Sequence, residues 1–178
     1  GIPDEEKAGL DLTSLDTLYC GAEPIRKPTF DRFVEIFGSF GFKPAMLYPC
    51  YGMAETTLII AGPEAGRGPV YLSVSGSALE QNRVVPVSDK EPDARYLVGV
   101  GFPWIDTSVE IVNPDTMLPC SDDEVGEIWV SGSIVTAGYW KKIKETEETF
   151  SAQIKNGSEV KYLRTGDLGF FHKGELYI

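Results

Sequence analysis

This 178-residue chain has few of the residues that bind soft metals or staple secreted domains: three cysteines, Cys20, Cys50 and Cys120, and one histidine, His172. An odd, widely spaced cysteine set offers no disulfide framework, and one histidine beside it does not make a zinc site. Reduced, mostly buried thiols in a cytoplasmic protein are expected. Basic residues are also scarce, 16 Lys and Arg against 27 Asp and Glu, for a net charge of −11. Nucleic-acid binding needs clustered cations to displace counterions, so no such partner is expected, and the charge serves solubility instead. Apolar runs such as Leu58 to Ala61 are too short to cross a bilayer, and the N-terminus has no basic region followed by an apolar one. Neither a membrane span nor a secretion signal is expected. Internal repeats and low-complexity segments are missing as well. What is present, 42% hydrophobic residues with 11% aromatic, is enough to build the core of one domain or two small ones.

The densest chemistry lies in Tyr48-Pro49-Cys50-Tyr51-Gly52-Met53-Ala54-Glu55-Thr56-Thr57. Ala45 to Tyr48 reads as a short buried strand ending at Pro49, so the polar groups fall just past a strand's C-terminal end, where ligands collect in open parallel α/β sheets. Tyr51 offers a flat face to a heterocycle, Gly52 allows close backbone approach, and Glu55 offers an oxygen to a hard cation such as Mg²⁺. A nucleotide with its metal fits this set. So does a plain strand-to-helix turn in which Thr56 or Thr57 caps the next element.

Upstream, Thr17 to Cys20 is a strand candidate ending in Gly21-Ala22-Glu23-Pro24. Pro28 starts a helix whose Phe30, Phe33, Val34 and Phe37 form a core stripe, with Gly38 as its stop. Strand, helix, strand over the first 60 or so residues is half of a doubly wound α/β unit. From Gly62 onward glycine and proline punctuate the chain and short strands take over: Val70 to Val74, Arg83 to Val87, Arg95 to Val100, Thr107 to Val112 and Gly126 to Ser131. Their spacing favours a small barrel or sandwich. Lys141 to Phe150 reads as a solvated helix. Tyr162 to Leu168 is a strand breaking at Gly166-Asp167, and Lys173-Gly174 turns the chain into a last strand, Glu175 to Ile178.

Four segments taken together, Gly21-Ala22-Glu23-Pro24, Tyr51-Gly52-Met53-Ala54-Glu55, Gly126 to Gly132 with Gly138-Tyr139-Trp140, and Tyr162 to Leu168, resemble the adenylate-forming superfamily of acyl-CoA synthetases, peptide-synthetase adenylation domains and luciferases. Within it the wording is most similar to that of the fatty acyl-AMP ligases. The resemblance implies an enzyme that turns ATP and a fatty or related carboxylic acid into an acyl-adenylate, for transfer to the thiol of an acyl carrier protein. It implies that adenine lies between Gly21 to Pro24 and Tyr51, within a nucleotide site extending over Gly52, Met53 and Ala54. It also implies that Glu55 works with Mg²⁺ and that Asp167 accepts hydrogen bonds from both ribose hydroxyls. Ala54 departs from the superfamily's commoner threonine, which leaves the α-phosphate contact to a backbone amide or to Thr56.

The expected fold class is the C-terminal part of a doubly wound α/β subdomain followed by a small β-barrel-like subdomain. Residues 1–64 form the adenine-binding part, 65–102 a β-rich insertion of fatty acyl-AMP ligase type, and 103–178 the part carrying the Asp167 motif. In the insertion, Tyr71, Leu72 and Val74 suit either a docking face for a mobile C-terminal domain or local packing. A Ser/Thr/Gly-rich phosphate loop and a C-terminal catalytic lysine, both implied by the resemblance, do not occur in this sequence, and the chain lacks an initial Met. An internal fragment, inactive alone and open to self-association through an exposed strand edge, is therefore expected. An acyl-CoA synthetase fragment and a non-catalytic adenylate-binding or scaffold module are the alternatives.

Overall fold

The structure, a computed structural model, describes residues 3–104 and 106–178. After a short helical turn, α1 (Asp4–Lys7), strand β1 (Leu18–Cys20) leads into helix α2 (Lys27–Phe37) and then β2 (Leu47–Pro49). The two strands pair in parallel, Leu18 with Leu47 and Cys20 with Pro49, so α2 is the crossover that a parallel pair requires. Pro28 sits in its first turn, where a missing N–H costs nothing. Phe30 is buried against Phe42, Met46 and Leu47, with Phe33, Val34 and Phe37 half-buried around them.

Two 3₁₀ turns lie in the segment between α2 and β2. The α-helix ends at Phe37 with Gly38 as its C-cap, as expected, but the chain does not leave helical geometry there: it tightens into a 3₁₀ turn, Gly38–Phe40, and reverses at Gly41, whose φ of +92° is a conformation that glycine adopts without steric cost. Pro44–Met46 is likewise a 3₁₀ turn rather than the first half of β2, because the fixed φ of Pro44 suits the start of a helical turn.

Past β3 (Ala61–Gly62), which pairs with β6 (Phe102–Pro103), the chain makes β4 (Tyr71–Ser75) and, after the turn α3 (Gly76–Leu79), β5 (Ala94–Val98), antiparallel to β4 over five residue pairs. The expected strand over Arg83 to Val87 is reduced to isolated bridges, Arg83 with Glu124 and Pro86 with Val74, since Pro86 has no N–H to extend a ladder. Val74 is fully buried and Leu72 packs beside it against Phe170 and Tyr177, while Tyr71 packs on the α2 side. Val74 is thereby taken up in local packing, while Tyr71 and Leu72 remain half-buried.

The remaining strands, β7 (Thr107–Asn113), β8 (Leu118–Pro119), β9 (Gly126–Gly132), β10 (Leu163–His172) and β11 (Glu175–Tyr177), form one antiparallel sheet in the order β11-β10-β9-β7-β8. Alternation decides its faces: Val109, Ile111, Ile128 and Val130 pack on one side with Ile60 and Leu176, and Val112 and Trp129 pack on the other with Ala152 and Tyr162. Helix α4 (Ile143–Phe150) buries none of its residues, as a solvated helix should. Strand β10 does not end at Gly166-Asp167. Instead its register with β9 slips between Arg164, opposite Trp129, and Leu168, opposite Glu127. Four steps along β10 there match two along β9, so the extra residues bulge outward and Asp167 is lifted off the ladder. Lys173 and Gly174 both take positive φ, which gives the expected two-residue hairpin into β11.

Candidate functional site

The ends of β1 and β2 and the β10 bulge meet at a cavity of about 360 Å³. Ala22, Glu23 and Pro24 line it from the loop after β1, Tyr51 and Gly52 from the turn after β2, and Asp167 from the bulge. Across it the Tyr51 hydroxyl donates to Asp167 Oδ2 at 2.6 Å. Burial, and then this hydrogen bond, hold the Tyr51 phenol protonated far above the ordinary tyrosine range. The carboxylate therefore has one donor already and keeps lone pairs for others.

Four of the residues singled out in the sequence do not line this cavity. Gly21 packs behind it, where a Cβ would come within 2.8 Å of the Cys50 carbonyl oxygen. Met53 and Ala54 run into a 3₁₀ turn, Ala54–Thr56, with Met53 packed on the core. Glu55, on that turn, accepts a hydrogen bond from the Tyr139 hydroxyl at 2.8 Å, while its carbonyl accepts from the Thr136 amide at 2.8 Å. Gly52 does line the cavity, yet what its missing side chain admits is the Leu58 carbonyl, which any Cβ would overlap. Neither threonine caps the start of the 3₁₀ turn: Thr56 donates to the Met53 carbonyl at 3.0 Å and Thr57 to the Ile134 carbonyl at 2.6 Å. The three thiols are half-buried rather than buried, and desolvation is the main cause raising the pKa of each.

What the sequence reading missed is the apparatus beneath Asp167. Glu127, buried on β9, accepts from Arg164 Nη2 at 2.7 Å, Arg164 Nε at 3.0 Å, the Trp129 indole at 3.0 Å and the Gly166 amide at 3.2 Å. Thr165 donates to the Ile128 carbonyl at 2.8 Å and accepts from the Asp167 amide at 3.1 Å. Every residue of the bulge from Arg164 to Asp167 is thus tied to β9 or to a neighbour. A signal existed: Glu127 and Trp129 are two apart on a strand and so share a face, and a carboxylate between a tryptophan and a basic strand partner calls for pairing.

Burial alone would raise the Glu127 carboxyl, but its bonds to Arg164, Trp129 and Gly166 outweigh that and hold it below the ordinary value of 4.5. A depressed carboxylate contributes stability above its unfolded pKa and loses it as pH falls through the folded value. We expect the thermal-stability advantage of the natural protein over Glu127→Gln to shrink as pH drops from about 6 to about 3. A constant gap across that range in thermal melts would show that the charge on Glu127 contributes nothing.

The cavity thus lies at the C-terminal ends of a parallel strand pair and is closed at one end by a tyrosine–carboxylate pair. The chain belongs to the AMP-binding enzyme family, whose sequence profile matches residues 2–140. It is 44% identical over 176 residues to the medium-chain fatty acid acyl-carrier-protein ligase JamA of Moorena producens, covering 98% of this chain and 30% of that protein. It is 39% identical over 179 residues to the long-chain fatty acid AMP ligase FadD26 of Mycobacterium tuberculosis, with the same coverage of each. Among solved structures it is similar to the fatty acyl-adenylate ligase of Legionella pneumophila in complex with acyl adenylate and pyrophosphate. That likeness has a TM-score of 0.93 at 44% identity, over 99% of this chain and 30% of that one. The chain thus spans less than a third of the length of these relatives. Among the described residues no helix is long and apolar enough to cross a membrane.

Proposed function

We propose that this chain is the adenylate-binding part of a ligase that activates a fatty or related carboxylic acid as its acyl-AMP, for handover to a carrier-protein thiol. The observation that carries the reading is the 2.6 Å bond from Tyr51 to Asp167, which closes one end of a largely apolar cavity with a carboxylate. Asp167 then accepts the ribose hydroxyls, and Tyr51 and the Ala22 to Pro24 loop flank the base within a largely apolar lining. The relatives named for fatty acid ligation support the choice of acid and acceptor. In the same proposal residues 1–64, 65–102 and 103–178 are the adenine-binding part, the insertion and the Asp167-bearing part, the first belonging to a doubly wound subdomain and the last to a barrel-like one. A cytoplasmic location, as the cysteine usage suggests, and self-association through the edges of the β1–β2 pair complete it.

The residues present fit Mg²⁺ to a limited degree. Among the described residues no group of three His, Cys, Asp or Glu side chains converges on a point, so Glu55 would belong to a site with few protein ligands. One carboxylate with substrate phosphates is the usual way in which Mg²⁺ is held. Bound there, the ion would neutralise charge developing on pyrophosphate. Glu55 is oriented for that task by Tyr139, which donates to its Oε1 and leaves the other oxygen open. Glu55→Gln in the full-length protein should lower kcat about tenfold while changing the KM for ATP little, because its contacts strengthen with the charge shift. Equal changes in both would mean uniform binding and remove Glu55 from the chemistry.

The deciding experiment is fatty-acid-dependent exchange between ATP and pyrophosphate by the full-length protein. Exchange followed by acyl transfer to a carrier protein in preference to coenzyme A supports the reading. Transfer to coenzyme A with equal ease would make it an acyl-CoA synthetase, and nucleotide binding without exchange a binding module.

A further inference from the structure

The cavity has a wall that the motifs do not account for. Tyr96, Leu97 and Val98, all on β5 of the insertion, line it together with Tyr51 and the Ala22 to Pro24 loop. Tyr51 and Tyr96 are its two aromatic lining residues. We propose that the β4–β5 hairpin is a component of the nucleotide site, and that Tyr96 is a positioning residue for the base. This rests on the adenylate-binding reading of the cavity.

The base must extend away from the ribose end that Asp167 marks, along a lining that is largely apolar. A purine buried there gains from an aromatic face, because its edges are polar but its faces are not. Tyr96 is 44% exposed and, among the described residues, its hydroxyl has an electrostatic neighbour in Lys27 but no hydrogen-bond partner, so its ring is available at the mouth. The strand under it is held firmly. Its neighbour Leu97 packs with Val74, Phe170 and Tyr177, and Val98 packs with Phe30 and Leu47. At one end, Asp93 Oδ2 accepts from the Ser75 hydroxyl, the Ser77 hydroxyl and the Ser77 amide, each at 2.9 Å. At the other, the Val100 amide donates to the Leu176 carbonyl at 2.9 Å, which joins β5 to the sheet that bears Asp167. Tyr96 is therefore placed by the same framework that places the ribose carboxylate.

The test is calorimetric titration of AMP into the full-length protein and its Tyr96→Ala, Tyr96→Phe and Asp167→Ala variants. Tyr96→Ala should bind AMP about tenfold more weakly, the lower part of the range for loss of one base–aromatic stack. Tyr96→Phe, which keeps the ring face, should bind like the natural protein. In exchange assays the KM for ATP should rise with kcat unchanged for Tyr96→Ala, a split that general loosening of the hairpin would not produce. If Tyr96→Ala binds AMP normally while Asp167→Ala does not, the hairpin has no part in base recognition although the cavity is still the nucleotide site. If Tyr96→Phe is as damaged as Tyr96→Ala, the ring face is not what acts. If Asp167→Ala also binds normally, the cavity is not the nucleotide site and this proposal falls with it.

Discussion

Replacing Asp167 with alanine in the full-length protein should raise the KM for ATP far more than it lowers kcat. The ribose hydroxyls do not change charge during adenylation, so a carboxylate that binds them stabilises ground and transition states alike. Hydrogen bonds to a charged group are worth about 1.5–3 kcal/mol, so kcat/KM should fall roughly ten- to hundred-fold. The structure adds a second component. Asp167→Ala also strips the acceptor from the Tyr51 hydroxyl, a half-buried donor that would then have to find another partner. Adding Tyr51→Phe to Asp167→Ala removes that orphan, so the double variant should not be worse than the single one if the carboxylate's own contacts with nucleotide dominate. An unchanged KM for ATP in Asp167→Ala would reduce the carboxylate to a turn residue and withdraw the bulge from the site.

The second large effect is expected one step further from the ligand. Arg164→Leu leaves Glu127 buried with only the Trp129 indole and the Gly166 amide to satisfy it. Removing one partner of a fully buried ion pair costs about 3–5 kcal/mol, and since Arg164 keeps 35% of its side chain in water the cost here should be about 2–3 kcal/mol. At two to four degrees per kcal/mol, thermal melts should drop by roughly 5–10 °C. Arg164→Leu combined with Glu127→Leu should recover much of this, because two apolar groups need no partner. Nucleotide affinity should fall in both variants, since the Gly166 amide loses its anchor in the second and the bulge loosens in the first. A double variant as unstable as the single one would show that the ion pair, and not the orphaned carboxylate, sets the cost.

The strands of the C-terminal half were legible because alternation there is clean: Val109, Ile111, Ile128 and Val130 could share a face only if both segments were extended, and they do. Helix α2 was legible for the same reason at a different period. Segments governed by a single backbone preference were not. Gly38 and Gly41 look alike in a sequence, yet only Gly41 takes a positive φ, and only there would a Cβ meet a neighbour, Thr13, at 2.6 Å. The β10 bulge escaped similarly, for Gly166-Asp167 reads as a turn until the β9 register shows the strand resuming at Leu168. At the site, the loops that line the cavity were legible as ligand-facing residue types. Their supports, Glu127, Arg164 and Tyr139, were not, because a pairing across 37 or 84 positions leaves no local pattern.

The bond from Tyr51 to Asp167 joins residues 116 positions apart. Closing so long a loop costs entropy that only later packing can offset, so contacts of this span form late when such a chain folds. On the proposed nucleotide reading of the cavity, a ribosome that has released β1, α2 and β2 has produced most of the loops assigned to the base but not the carboxylate assigned to the ribose, and the nascent chain should not hold nucleotide until β10 emerges and docks on β9. On that reading nucleotide should bind only once β10 has docked, so added ATP should stabilise chains that include the β10 bulge by mass action and give nothing to chains that end before residue 167.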